Sequence, residues 1–255
     1  MRWSPLCRGA APGINILSGL CSVTASLKIE GREGVRRAMD YKLPRAAESF
    51  ITNLTGADAD EVKKYVVEFR LNQEFQNSVE GKRSAFSQNR RSSWDYSIGA
   101  ALGLVLYVIC RRQKPRIVVE TGVASGVSSS HILGALEQNK HGRLYSIDLP
   151  GWQEDRSGWL IPDYLRHRWH LVPGRSSDEL KPLLRKVAAI DTFLHDSDHS
   201  YQNMLEEFQT AWKYLKSGGL LLAHNIDNNN AFSDFCRGNG LKGYSLANLG
   251  GIIKA

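Results

Sequence analysis

The sequence predicts an α/β protein built on a mostly parallel, doubly wound sheet, and three observations carry that prediction. From Arg116 onward short apolar runs alternate with amphipathic segments, the first four of these runs are each followed by a candidate helix, and the runs end in glycine or polar residues. Strands and helices in alternation imply parallel pairing with helices on both faces. In such sheets ligands sit outside the carboxyl ends of the strands, where a packed core would not ask for polar groups.

In chain order, residues 1–45 read as tail and linker, rich in Gly, Ser and Arg. The first 29 contain no acid, and "INILSGLCSVTASL" bears a loose likeness to a leader, although Pro12 and Gly13 interrupt it. Residues 46–115 form a helical lead with a lid. "TGADADEVKKYVVEF" opens at Thr55 with a capping residue and acids, then places Val62, Tyr65, Val66 and Phe69 at helical spacing, which predicts a helix over about 57–76. The basic stretch 78–93 has no sustained periodicity and reads as a loop or lid. An apolar helix over about 94–112 follows. The core, 116–255, holds strands at 116–120, 142–148, 168–174, 189–196 and 218–225, with helices starting near Gly126, Gln153, Ser177 and Tyr201.

Composition excludes several classes. The 33 Lys and Arg against 26 Asp and Glu give a net charge of +7, a mild excess that suits a solvated surface. Cys7, Cys21, Cys110 and Cys236 lie far apart with no C-x-x-C pair, so neither a zinc ribbon nor a disulfide scaffold is expected, and a cytoplasmic, reducing location fits. The longest apolar run, "IGAALGLVLYVIC", is too short for a membrane span and predicts a buried helix. Nucleic acid is disfavoured, since the basic stretch offers only Phe86 and Trp94 for stacking. Lys82, Arg83, Arg90 and Arg91 could instead grip a phosphorylated or carboxylated small molecule. Homo-oligomerisation is left open.

"VVETGVASGVSSSHIL" passes from strand through a glycine turn into a helix. Its G-x-x-x-G spacing is not the G-x-G-x-x-G of dinucleotide enzymes, nor is Ser125 in a G-x-S-x-G elbow. Gly122 and Gly126 let the backbone turn sharply beneath a ligand. The second strand ends in Asp148, whose carboxylate can accept both hydrogen bonds of a ribose diol.

"VVETGVASG", "LYSID", "FLHDSDHSY" and "LKSGGLLLAHN", in this order, resemble class I S-adenosylmethionine-dependent methyltransferases, and within them the subgroup with an HDSDHSY-type segment after the fourth strand, like methyltransferase family 24. The resemblance covers roughly 115–255. It implies a Rossmann-like sheet of seven strands with a reversed hairpin in 243–255, and S-adenosylmethionine as cofactor. Glu120 would sit by the methionine part, with Thr121 beside it. Gly122, Ala124, Ser125 and Gly126 would pass beneath the cofactor, Asp148 would hold the ribose, Ser176 would lie near the adenine, and Asp196 would face the transferred methyl group. Ala124 stands where the family usually has its second glycine, which a negative φ would accommodate.

The resemblance also implies a divalent cation, magnesium or manganese, held by Asp196 and the pair His224 and Asn225. The imidazole of His224 leans toward manganese, zinc or iron. Asp227 is a spare carboxylate. His199, where related enzymes carry a lysine base, is the candidate general base, since an imidazole is matched to neutral pH. Asp198 would orient it or cap the next helix, and His195 would be a satisfied buried histidine. The expected reaction is O-methylation of a small molecule such as a sugar or a phenol. N-methylation, a cephalosporin-hydroxylase-like activity and a non-catalytic cofactor-binding protein are the rivals.

Overall fold

The computed structural model describes residues 31–88, 99–149 and 157–255. It begins with α1 (Gly31–Asp40), α2 (Arg45–Thr55), α3 (Ala59–Leu71), α4 (Gln73–Gln88) and α5 (Ala100–Gln113). Helix α1 lies inside the stretch expected as tail. Thr55 does not open a helix but closes one: its hydroxyl donates to the Ile51 carbonyl, and Gly56 turns left-handed behind it. The cap of α3 is Asp58, whose Oδ1 accepts the Glu61 N–H at 2.8 Å. The helix expected over 57–76 breaks at Asn72, whose Oδ1 accepts the Phe75 N–H and starts α4.

The loop expected over 78–93 is helical as far as Gln88, because Phe75 and Val79, four residues apart, both pack on the core. Residues 89–93 of it, with Arg90 and Arg91, lie outside the described residues, as do Trp94 and the expected start of α5. In α5 the run Leu104–Ile109 is entirely buried. No helix among the described residues is long and apolar enough to cross a membrane.

The core sheet contains β1 (Ile117–Thr121), β2 (Arg143–Asp148), β3 (Trp169–Pro173), β4 (Ile190–His195), β5 (Leu215–Ala223), β6 (Gly243–Leu246) and β7 (Leu249–Ile253). Their order is β3-β2-β1-β4-β5-β7-β6, with the first five parallel and β7 antiparallel between β5 and β6. The seven strands and the reversed hairpin match the expectation. Strand β5 begins three residues early.

Helices α6 (Val127–Asn139), α7 (Ser176–Val187), α8 (Tyr201–Tyr214) and α9 (Ala231–Gly238) complete the fold. The helix expected from Gln153 starts outside the described residues; from Ser157 the chain leads into a 3₁₀ helix, Asp163–Arg168. Helix α9 was not anticipated and buries Phe232 and Phe235.

Both sheet faces are covered, which explains why β5 is apolar without alternation. Its Leu220 and Leu222 join a core with α2, α3, α5 and α6, while Leu221 and Ala223 join one with α7, α8 and α9. The chain winds from β1 outward through β2 and β3, then returns to the other side as β4 and β5. This reversal leaves a crevice at the carboxyl ends of β1 and β4.

Candidate active site

A cavity of about 570 Å³ opens at that reversal, and Gly122, Ala124, Asp148, Ser176, Asp196, His199 and Asn225 line it. They come from the ends of β1, β2, β4 and β5 and the start of α7, so parallel topology alone gathers them.

The turn after β1 is tightly fixed. Gly122 has φ +81 and donates its N–H to the Ile147 carbonyl at 2.8 Å. Gly126 has φ +90, and a Cβ there would meet Gly158 Cα at 2.8 Å. Ala124 departs from expectation: its φ is +48, not negative. A left-handed alanine costs about 1–2 kcal/mol. Asp148 Oδ2 accepts the Ala124 N–H at 3.2 Å, and the Ala124 carbonyl accepts from Gly158 N–H at 2.9 Å, which hold it there. Asp148 thus faces the turn and the cavity together.

Glu120, Thr121, Ser125 and Gly126 are not on the cavity wall. Glu120 is fully buried and accepts hydrogen bonds from the hydroxyls of Ser128, Ser129 and Ser146, tying β1 to α6 and β2. Burial pushes its carboxyl up to about 7 against the pull of those three donors. Thr121 donates its hydroxyl to Glu207 Oε2 at 2.6 Å.

The segment after β4 gathers the titratable groups. Asp196 Oδ1 lies 2.7 Å from His224 Nδ1, and His224 Nε2 lies 3.0 Å from Asn248 Nδ2. With that amide donating to Nε2, His224 carries its proton on Nδ1 and donates it to Asp196. His199 Nε2 is 3.8 Å from Asp196 Oδ1, and its Nδ1 is buried with no partner among the described residues. Burial, followed by the neighbouring His195, holds His199 below the usual imidazole range against the opposing pull of Asp196.

His195 is buried as expected but only half satisfied: Nδ1 is 2.7 Å from Glu207 Oε2, while Nε2 has no partner among the described residues. Asp198 neither orients His199 nor caps α8. It accepts from the Ser200 N–H, and Ser200 is the cap.

Of the expected metal set, Asp196 and His224 lie together, while Asn225 Oδ1 accepts from Asn248 and Asp227 is exposed. Asp196, His199 and His224 bring one carboxylate oxygen and two imidazole nitrogens within 4.8 Å of one another. That donor set fits manganese or zinc and does not fit magnesium, which favours oxygen ligands.

Lys82 pairs with Asp163 at 2.8 Å, and Phe86 stacks on Trp159 with ring centroids 4.0 Å apart, so α4 is docked on the segment before β3. Glu207 escaped the sequence reading. Its carboxylate serves His195, Thr121, Ser197 and Asn203 together. Burial alone would raise it, but the hydrogen bond and charge of His195 and the serine hydroxyls leave it below the ordinary carboxylate range. An acid among Met204, Phe208 and Ala211 on the buried face of α8 was the available signal.

Residues 119–226 match the model of a family described as a methyltransferase domain. Among solved structures, the S-adenosylhomocysteine-bound methyltransferase PaMTH1 of Podospora anserina is 14% identical with a TM-score of 0.55, over 84% of this chain and 99% of that one. An O-methyltransferase from Bacillus cereus in complex with S-adenosylhomocysteine is 15% identical, TM-score 0.54, over 82% and 97%. TomG of Streptomyces achromogenes, an O-methyltransferase of tomaymycin synthesis in complex with S-adenosylmethionine, is 16% identical, TM-score 0.53, over 82% and 96%. No curated protein matches the sequence. The likeness to these structures shows that the chain shares their fold. The match to a methyltransferase domain over 119–226 spans every residue that lines the crevice.

Proposed function

We propose that the chain transfers the methyl group of S-adenosylmethionine to a hydroxyl oxygen of a small molecule, with 116–255 as catalytic core, 46–115 as helical lead and His199 as general base. The observation that carries this reading is the convergence of Asp148, the glycine turn and the Asp196–His199 pair on one cavity. Asp148 would accept the ribose hydroxyls, the backbone from Gly122 to Gly126 would lie beneath the sulfonium, and Ser176 would border the adenine. The acceptor oxygen attacks the methyl carbon in line, the carbon–sulfur bond breaks, neutral S-adenosylhomocysteine leaves, and the acceptor's proton passes to His199. Asp196 then faces the imidazolium. Neighbours of the same fold that act on oxygen support the acceptor type. The buried free thiols Cys110 and Cys236 support a reducing compartment.

A second reading rests on the three donors within 4.8 Å. A manganese or zinc ion on Asp196, His199 and His224 would lower the pKa of the acceptor hydroxyl, and His199 would then be a ligand and not the base. Calorimetry tests both. S-adenosylhomocysteine should bind the wild type, and Asp148→Ala should weaken it at least tenfold. No binding would remove the proposal. Manganese that binds the protein, and whose binding His199→Ala abolishes, would favour the second reading over the first.

A further inference from the structure

A second cavity, of about 440 Å³, lies at the opposite end of the sheet, where the parallel strands begin, and is lined by Arg116, His141, Gly142, Arg143, His167 and Arg168. In sequence these belong to three separate basic runs, "KPR" at 114–116, "KHGR" at 140–143 and "RHR" at 166–168. Strand register unites them. Ile117 pairs with Arg143, and Leu144 pairs with Trp169, so Arg116, Arg143 and Arg168 fall at the starts of three adjacent strands, about 5 Å from one strand to the next.

The three arginines are not equivalent. Arg168 donates from Nε to Glu137 Oε2 at 2.7 Å and from Nη1 to the Gly142 carbonyl at 3.3 Å, so it is fixed at the back. Glu137 also pairs with Lys140 and stands 3.4 Å from His167 Nε2. Arg116 and Arg143 are exposed, and their guanidinium groups have no partner among the described residues. Asp191, which accepts the backbone N–H groups of Arg116 and Ile117, is itself paired with Lys216 at 2.7 Å. Gly142 brings bare backbone against the cavity: its φ is +95, and a Cβ would meet the Pro115 carbonyl at 2.5 Å. Among the described lining residues there is no acid and no aromatic platform other than imidazole.

We propose that this cavity binds a small, multiply charged phosphate anion, a pyrophosphate or the phosphate tail of a nucleotide. Two uncommitted guanidinium forks match phosphate oxygens in pairs, and the anion relieves the mutual repulsion of positive groups that strand register forces together. A single-stranded nucleic acid would want stacking surfaces that the cavity lacks. The methyl-transfer crevice lies at the other end of β2, about 16 Å along the strand from Arg143 to Asp148. The two sites therefore share no residue.

Calorimetry on the full chain at constant ionic strength, with sodium pyrophosphate in one arm and ATP in the other, tests the assignment. Saturable binding is expected in at least one arm, weakened at least tenfold in the Arg116→Gln/Arg143→Gln double variant while its unfolding midpoint stays at the wild-type value. Tighter binding of ATP would identify a nucleotide, and equal binding a bare phosphate chain. No saturable binding in either arm, binding that survives the double substitution, or binding of a single-stranded oligonucleotide alone would overturn the proposal.

Discussion

Gly122 stands so close to Asp196 that a Cβ added to the glycine would lie 2.0 Å from the aspartate's carbonyl oxygen and 2.5 Å from its carbonyl carbon. Both are backbone atoms and cannot swing aside, and Asp196 is held in place by its N–H bond to the Thr121 carbonyl at 2.8 Å. Gly122→Ala must therefore part the ends of β1 and β4, at a cost of about 2–4 kcal/mol from overpacking and the left-handed φ together. A thermal melt should show a midpoint several degrees lower, with cofactor binding at least tenfold weaker. A variant that melts with the wild type would show that the approach is not that close.

Ala124→Gly should act in the opposite sense. It relieves the left-handed alanine while keeping the N–H that Asp148 accepts. Some of the relief is offset by the larger entropy glycine loses on folding, so a net gain of about 0.5–1 kcal/mol is expected. For a chain of this size that is a rise of roughly 1–4 °C in Tm. A fall in Tm would mean that the alanine methyl makes a contact worth more than its strain.

The acid side of the rate profile should belong to His199. Because burial and His195 depress its pKa, its base form persists below the pH at which a free imidazole protonates. The rate should then fall at an acidic midpoint below about 6.5. His199→Ala should remove that limb and lower turnover by about a hundredfold or more while leaving cofactor affinity intact. Full activity of the variant from pH 6 to 8 would end the assignment.

His131 should set part of the acid sensitivity of folding. It is buried against Phe69 and Phe75, with Nδ1 at 2.7 Å from the Val127 carbonyl, and burial pushes its pKa down to about 4. The folded protein resists protonation that the unfolded chain accepts near 6.5. The contribution is therefore intact above that value and is lost as pH falls toward 4, by on the order of 3 kcal/mol. Denaturant titrations should show His131→Phe losing less stability than the wild type between pH 7 and 4. Parallel curves would refute it.

Glu207→Gln should unfold more easily by about 3 kcal/mol or more, since the carboxylate is buried and several donors converge on it. Chemical denaturation with an unchanged m-value would verify this. A neutral outcome would mean that the buried charge is not needed.

Much of this arrangement was legible in the chain because parallel topology turns local signals into shared geometry. Apolar runs ending in Asp148, Asp196 and Asn225 could be placed on one edge of a sheet before any coordinate was known, and they line one cavity. What was not legible depended on side-chain direction and partners. Glu120 is held in the interior by three serine hydroxyls, and Thr121 by Glu207. Asn225 accepts a hydrogen bond from Asn248, a residue 23 positions later that no local pattern could connect to it. The helix boundaries at Asp58 and Asn72 hinged on single capping hydrogen bonds, and periodicity alone ran the two helices together.

The segment from Gly158 to Leu160 carries a mechanical implication. Gly158 is bonded to Ala124 and Leu160 to Ser125, while Trp159, between them, has α4 stacked upon it through Phe86. A displacement of α4 would therefore pull, through Trp159, on the loop after β1 that lines the cavity. Phe86→Ala, which removes that stack, should therefore loosen the loop after β1, as hydrogen exchange at the Gly158 and Leu160 amides would show.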